Sequence, residues 1–290
     1  MKKRIILATR RSALALRQSH LVAEHLRRHW PEANVSLLEL VTTGDRQQGW
    51  SLEKEGGKGL FTGELEMALQ RGDADIAVHS SKDLPTTLPE GLVLAGFLPR
   101  ERPNDVLVLR EGCVTPKVLA TGSPRRRSQA ARLFPETEWT EIRGNVETRL
   151  RKIAEGEADG TLLAAAGLRR LGIDCRPGLV FRELTVEEMV PAPGQGAIAL
   201  ESLESTAGEW SPLLDSETNL AVRAERAFLA ALGGGCHAAF AAHYAEGQLS
   251  VFHERTGYRR VPVRTGEGEP VETAVRRIAA ELGLTEGTKL

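Results

Sequence analysis

RIILATRRSALALRQSHLVAEHL, residues 4–26, carries the pattern that decides the fold. Residues 4–8 are a short apolar run that reads as a strand. From Ser12 onward, Leu14, Leu21, Val22 and Leu26 fall on one face at helical spacing, with Ser12 as the N-cap. A strand running directly into a helix opens an α/β unit, and the alternation continues. Val35, Leu37 and Val41 read as a strand, 61–71 as a helix and 75–79 as a buried strand, with Pro85, Pro89 and Gly91 punctuating its exit. In the middle third, 105–110, 118–120, 138–142 and 161–165 read as strands and 123–133 and 146–155 as helices, which predicts a second parallel α/β unit. After the Pro-Ala-Pro-Gly-Gln-Gly break at 191–196 comes one more apolar strand, 197–200. A single strand cannot stand alone, so it is placed back in the first sheet. Residues 217–290 differ: a helix at 219–232, the run Gly233-Gly234-Gly235-Cys236, short alternating segments through Val263 and a final helix at 270–282 read as a small α+β domain.

The chain has 290 residues, 41% hydrophobic and 27% charged, the profile of a globular protein large enough to bury its own core. The formal charge of −1 excludes a generally basic nucleic-acid coat, so any charge-driven partner must meet a local patch. Of the 38 basic residues only eight are Lys, leaving 30 Arg, the side chain that grips carboxylate or phosphate in a bidentate fork. Cys113, Cys175 and Cys236 are an odd number without a close pair, which excludes a disulfide framework or zinc ribbon. Lys2-Lys3-Arg4 precedes too short an apolar run for a signal peptide, and no run approaches the ~18 residues of a membrane span. A cytoplasmic protein is expected.

In open parallel sheets, ligands sit at the carboxyl ends of strands, where the next helix offers unpaired N–H groups. Four junctions carry residues suited to anions: Thr9-Arg10-Arg11-Ser12; Ser80-Ser81-Lys82-Asp83; Thr121-Gly122-Ser123-Pro124-Arg125-Arg126; and Arg143-Gly144-Asn145, with Arg149 further along its helix. Read singly, Arg125–Arg127 is an ordinary solvated helix end and Arg143 and Arg149 are surface ion pairs worth little. Residues 117–151, however, hold eight basic side chains against four acidic ones. The aperiodic stretch Thr43–Gly59 reads as a binding loop or cover. Its Gly56-Gly57-Lys58-Gly59 lacks the full phosphate-loop pattern. Asp83 beside Lys82 reads by default as an ion pair, but a carboxylate in a cationic site suits a developing positive charge or a proton. Cys236, after three glycines, reads as a reactive thiol rather than a packed one. His25 and His29, four apart on a helix, lack a third metal ligand, and no metal site is expected. His79 reads as a packed strand residue.

Together, Thr9–Ala15, Gly56–Phe61, the run Asp75-Ile-Ala-Val-His-Ser-Ser-Lys-Asp83, Arg143–Leu150 and Gly234-Gly235-Cys236 resemble the hydroxymethylbilane synthase (porphobilinogen deaminase) family, in order and with family-like spacing. The resemblance implies two α/β lobes like the type II periplasmic-binding proteins with a cleft between them, plus the small α+β domain. The corresponding boundaries are 1–98 completed by 196–216, then 99–195, then 217–290. It implies a monomeric enzyme that joins four porphobilinogen molecules head to tail, with loss of ammonia, into hydroxymethylbilane. A dipyrromethane cofactor would be held by a thioether to Cys236. Asp83 would be catalytic, steadying the cationic pyrrole left by ammonia. Ser80, Lys82, Asp83, Thr121, Ser123, Arg125, Arg126, Arg143 and Gly144 would hold the cofactor. Arg10, Ser12, Gln18, Lys54, Lys58, Arg149, Arg170 and Gln195 would meet the substrate. Each pyrrole bears an acetate and a propionate, so a ligand of this kind needs many Arg and Lys forks. The family often has Pro at the position of Ala13 and Leu at that of Pro124, departures at helix starts rather than at charged contacts, and the match after Tyr244 is loose.

Two other classes are open to the same residues. A non-catalytic anion-binding protein would use the cationic junctions but gives Asp83 and Cys236 no task. A nucleic-acid binder would use Arg125–Arg127, against an aromatic content of 4% that offers few stacking platforms.

Overall fold

The computed structural model describes residues 3–46, 60–233 and 239–285. It separates into two units. The first comprises described residues 3–46, 60–101 and 197–219; the second comprises 102–196, 220–233 and 239–285.

The first unit is built on a five-stranded sheet of order β2-β1-β3-β10-β4, formed by β1 (Arg4–Arg10), β2 (Asn34–Leu40), β3 (Ile76–Ser80), β4 (Leu92–Phe97) and β10 (Ile198–Leu203). Its central strands β1, β3 and β10 are buried on both faces, as sheets covered on both sides require. Ile5 and Leu7 of β1 pack with Val22, Ala23 and Leu26 of α1 (Ala13–His29), all at most 1% exposed. On the other face, Ala8 packs with Leu65, Ala68 and Leu69 of α3 (Gly63–Gln70). Ser12 caps α1, its Oγ accepting from Ala15 N at 3.3 Å. The returning strand lies in the first sheet as predicted, between β3 and β4. Two expectations need correction. β1 continues through Arg10, because pairing with β2 runs to Arg10↔Leu40, so Thr9 and Arg10 belong to the strand itself. The stretch from Thr43 opens with a short helix, α2 (Thr43–Arg46).

The second unit holds a five-stranded sheet of order β7-β6-β8-β5-β9, from β5 (Asp105–Arg110), β6 (Val118–Ala120), β7 (Glu138–Thr140), β8 (Gly160–Ala164) and β9 (Leu179–Glu183). The expectation of parallel units is corrected in both: β6, β7 and β8 are parallel, but β5 runs antiparallel to β8 and β9, just as β10 runs antiparallel to β3 and β4. The reversed strand in the first unit is the returning segment. That in the second is its own opening strand, which an alternating strand–helix reading cannot distinguish from a parallel one. Helices α4 (Pro124–Ala130), α5 (Val146–Ala154) and α6 (Ala165–Arg170) cover the faces. The same unit carries an antiparallel sheet, β11 (Phe240–Ala245), β12 (Gln248–His253) and β13 (Gly257–Pro262), packed on α7 (Ser216–Ala231) and α8 (Val271–Glu281) around Phe228, Leu249, Val251 and Val275. Among the described residues, no helix is long and apolar enough to cross a membrane.

Candidate active site

The carboxyl ends of β1 and β3 open onto a pocket of the first unit whose lining includes Arg10, Ser12, Gln18, Phe61, Ser80 and Asp83. Parallel neighbours end at the same level, so the two junctions singled out by the sequence become walls of one site. Gln18, one turn and a half into α1 and 3% exposed, donates Nε2–H to Ser80 Oγ at 2.9 Å, and Ser80 Oγ lies 3.2 Å from Gln18 Oε1. The amide thereby fixes the hydroxyl. Ser81–Asp83 forms a single 3-10 turn after β3, which leaves the side chains of Lys82 and Asp83 exposed. Arg10 is not a free cation. Its Nε donates to Asp45 Oδ2 at 3.2 Å, its Nη2 donates to Asp45 Oδ1, and its guanidinium carbon stacks 4.3 Å from the Phe61 ring centroid. His79, next to Ser80, is buried as expected, with Nε2 2.9 Å from Glu201 Oε2.

In the second unit, the junctions after β6 and β7 stand side by side, because those strands are parallel neighbours. Arg143 arches over Gly122: a Cβ on that glycine would come within 3.9 Å of the guanidinium carbon. Thr121 Oγ1 accepts from Ser123 N at 3.2 Å, and Ser123 Oγ caps α4 by accepting from Arg126 N at 3.4 Å. Asn145 Oδ1 caps α5, accepting from Thr148 N at 2.8 Å. Gly144 has φ +112°, and a Cβ there would meet Thr148 Cγ2 at 2.7 Å, so the turn that aims Arg143 needs glycine. Arg149 donates Nε–H to Gly144 O at 2.8 Å, holding its side chain back against the same turn.

Arg125 and Arg126 are buried rather than solvated, each 8% exposed. Both bind Asp105, which is fully buried at the start of β5. Arg125 Nη1 lies 2.7 Å from Asp105 Oδ2, while Arg126 Nε and Nη2 lie 2.9 and 2.7 Å from Oδ1. Arg125 Nη1 also reaches Val190 O at 2.7 Å. Burial alone would raise the Asp105 pKa, but the two guanidiniums outweigh it and hold the carboxyl far below the usual range. One edge of each arginine is therefore committed to the fold. The missed partner left a signal in the sequence: Asp105 opens the strand DVLVLR directly ahead of four apolar residues, and a buried acid needs a cation. Asp45 lay in a stretch without periodicity and left none, and Phe61 was visible only as the end of the Gly56–Phe61 motif.

Arg170 donates Nη2–H to Gly196 O at 2.5 Å, and the buried Gln195 donates Nε2–H to Pro103 O at 2.6 Å. Gln195 thus ties two backbone segments together. The turn at Gly194 is fixed to the third sheet by Glu225, which accepts from Gly194 N at 2.7 Å and Tyr244 N at 2.9 Å. Lys54, Lys58 and Cys236 lie outside the described residues.

Each unit of this α/β protein thus carries guanidiniums, hydroxyls and capped helix starts at strand ends, groups suited to carboxylates, and the first adds one exposed carboxylate beside its pocket. The sequence profile described as "Porphobilinogen deaminase, dipyromethane cofactor binding domain" matches residues 5–208. A porphobilinogen deaminase of Thiobacillus denitrificans is 40% identical, over 98% of this chain and 96% of its own length. Another, from Syntrophotalea carbinolica, is 44% identical over 82% of this chain and 77% of its own. The chain belongs to the porphobilinogen deaminase family. Among solved structures, the periplasmic aliphatic sulphonate binding protein SsuA from Escherichia coli aligns with 81% of this chain and 77% of its own at 13% identity and a TM-score of 0.41. A mutant of OxyR from Corynebacterium glutamicum aligns with 73% of this chain and 62% of its own at 15% identity and a TM-score of 0.46.

Proposed function

We propose that this chain is a transferase, hydroxymethylbilane synthase, which joins four porphobilinogen molecules and releases the linear tetrapyrrole. Family membership over nearly the whole chain names the reaction. The observation that carries it to these residues is the gathering of Arg10, Ser12, Ser80 and Asp83 around one pocket.

A dipyrromethane bears four carboxylates, and the donor set suits it: Arg143 stands over the side-chain-free Gly122, flanked by the Thr121 and Ser123 hydroxyls, with Arg149 against the adjacent turn. When bound, the group supplies a nucleophilic pyrrole carbon on which the chain is built. Thr121, Ser123, Arg143 and the free edges of Arg125 and Arg126 would hold its carboxylates. Ser80, Lys82 and Asp83 are further candidates to hold it, and Cys236 would be its covalent anchor. Arg10, Ser12, Arg149 and Arg170, with Lys54 and Lys58, would take the carboxylates of substrate and growing chain. Gln18 would act through Ser80 and Gln195 through the turn it fixes. Asp83 does the chemical work: its carboxylate accepts the pyrrole N–H and steadies the positive charge that develops as ammonia leaves. It also carries the proton lost when the new carbon–carbon bond restores aromaticity. The reaction balances as four porphobilinogen plus water giving one hydroxymethylbilane and four ammonia.

Three domains and a monomeric cytoplasmic enzyme without nucleic-acid or membrane partners complete this reading. The separate core of the third sheet supports the domain division, and the near-zero net charge supports the absence of a polyanionic partner. Incubation with porphobilinogen should release one ammonia per porphobilinogen consumed, together with a linear tetrapyrrole. Binding without ammonia release would leave only an anion-binding protein.

A further inference from the structure

Arg10 sits in a bracket made by two short segments of the first unit. Residues 42–46 and 60–64 are joined by Gly44 N–H to Leu60 O at 2.8 Å, and by Thr43 N and Oγ1, each 2.8 Å from Glu64 Oε1. Gly44 lies flat on the Phe61 ring, where a Cβ would come within 2.2 Å of a ring carbon, so no other residue brings these segments so close. Asp45 is in turn held by Thr42, whose Oγ1 and N donate to Oδ2 at 2.8 and 3.2 Å. Both side chains of the Arg10–Asp45 pair are about three-quarters buried, at 23% and 24% exposure. Burial would raise the Asp45 pKa, but the bonds from Arg10 and Thr42 win and hold it below the ordinary carboxylate value, so it is ionised at neutral pH.

A guanidinium has two bidentate edges. Asp45 occupies the side edge, Nε with Nη2, and Phe61 lies against the flat face. The end edge, Nη1 with Nη2, is left, and the described residues give Nη1 no partner. Arg side chains carry about 2 kcal/mol of rotamer freedom, so fixing the plane beforehand removes a cost that an incoming anion would otherwise bear.

We propose that Asp45 is a positioning residue for substrate binding: with Phe61 it locks Arg10 so that the end edge of the guanidinium meets a planar carboxylate of porphobilinogen in the pocket beside Ser12 and Asp83. The inference rests on the function proposed above. Because the pair is neutral overall, recognition depends on fork geometry rather than on net charge. A carboxylate side arm takes no part in the bonds that break and form and is gripped alike in ground and transition states, so loss of the lock falls on KM rather than on kcat.

The test is steady-state kinetics on holoenzyme, with cofactor content verified by intact mass. Asp45→Asn keeps the shape but turns an N–H towards Arg10. It is expected to raise KM for porphobilinogen about tenfold, the scale of one weakened charged hydrogen bond, with kcat within about threefold. Arg10→Lys raises KM by itself, and adding Asp45→Asn to it should change KM by less than about twofold, since the group being positioned is gone. An unchanged KM in Asp45→Asn, a fall in kcat alone, or multiplying effects in the double variant would each overturn the proposal. If Asp45→Asn does not fold, Phe61→Leu decides: it removes the flat-face contact and must raise KM at near-constant kcat. Absence of turnover by the wild-type protein would refute the proposed function instead, whereas normal wild-type turnover with an indifferent Asp45 refutes only this inference.

Discussion

Asp83→Asn is expected to keep its fold and its covalent cofactor while losing turnover by about 10²-fold or more, the scale of a removed charge-stabilising or proton-transferring group. The amide has the same shape and sits on the same exposed 3-10 turn, and no bond that holds the turn together depends on the carboxylate among those described. What it lacks is the negative charge that faces the cation and the basic oxygen that takes the proton. The measurement is the single-turnover rate of ammonia release by protein whose intact mass shows the cofactor in place. A rate within a few-fold of wild type would remove Asp83 from the chemistry.

Arg126→Leu and Arg149→Leu should fail in different ways. Arg126 shares the buried Asp105 with Arg125, so its loss strips the hydrogen bonds to Oδ1 from a buried carboxylate and leaves it only Arg125, a cost of about 1.5–3 kcal/mol per charged hydrogen bond lost. We expect Arg126→Leu to accumulate mainly as destabilised apoprotein. Arg149 is half-buried and donates Nε–H to Gly144 O in the turn before its own helix, and we expect Arg149→Leu to fold, keep the cofactor and stall after one or a few additions of limited porphobilinogen. Arg126→Lys separates folding from binding, because it keeps a cation beside the buried Asp105 while removing the guanidinium fork. Restored stability with the cofactor still absent would make Arg126 a direct ligand, whereas a restored cofactor would confine it to the fold. The pH dependence has a definite sign. Asp105 is depressed in the folded state, so its contribution is full above the unfolded value near 3.9 and is lost as pH falls through the lower folded value. The difference in urea midpoint between wild type and Asp105→Asn should therefore be largest at neutral pH and shrink only in strong acid.

The parts legible in the sequence were those set by local chemistry. Ser12, Ser123 and Asn145 stand before helices and cap them, and the apolar runs of β1, β3 and β8 had to be buried strands. The return of 198–203 to the first sheet followed from the impossibility of a lone strand. Strand direction was not legible, because nothing local distinguishes a parallel β5 from an antiparallel one. β4 was missed behind Pro89 and Gly91, and β9, an edge strand with exposed Val180, has little apolar pattern to show. In the site, the cations were visible but their partners were not. Arg10 and Arg126 read as free charges because Asp45 and Asp105 lie 35 and 21 residues away, and only the fold brings them together. Those acids convert a collection of positive charges into forks of fixed orientation.

The most direct measurement of the central claim is the intact mass of the purified protein beside that of Cys236→Ser. Wild type should be heavier than its sequence by a dipyrromethane and gain one pyrrole unit per step with limited porphobilinogen, while Cys236→Ser should have the bare sequence mass, since a serine hydroxyl is too weak a nucleophile to form the link. A wild-type mass equal to the sequence with no ladder on adding porphobilinogen, or a dipyrrole still attached in Cys236→Ser, would contradict it.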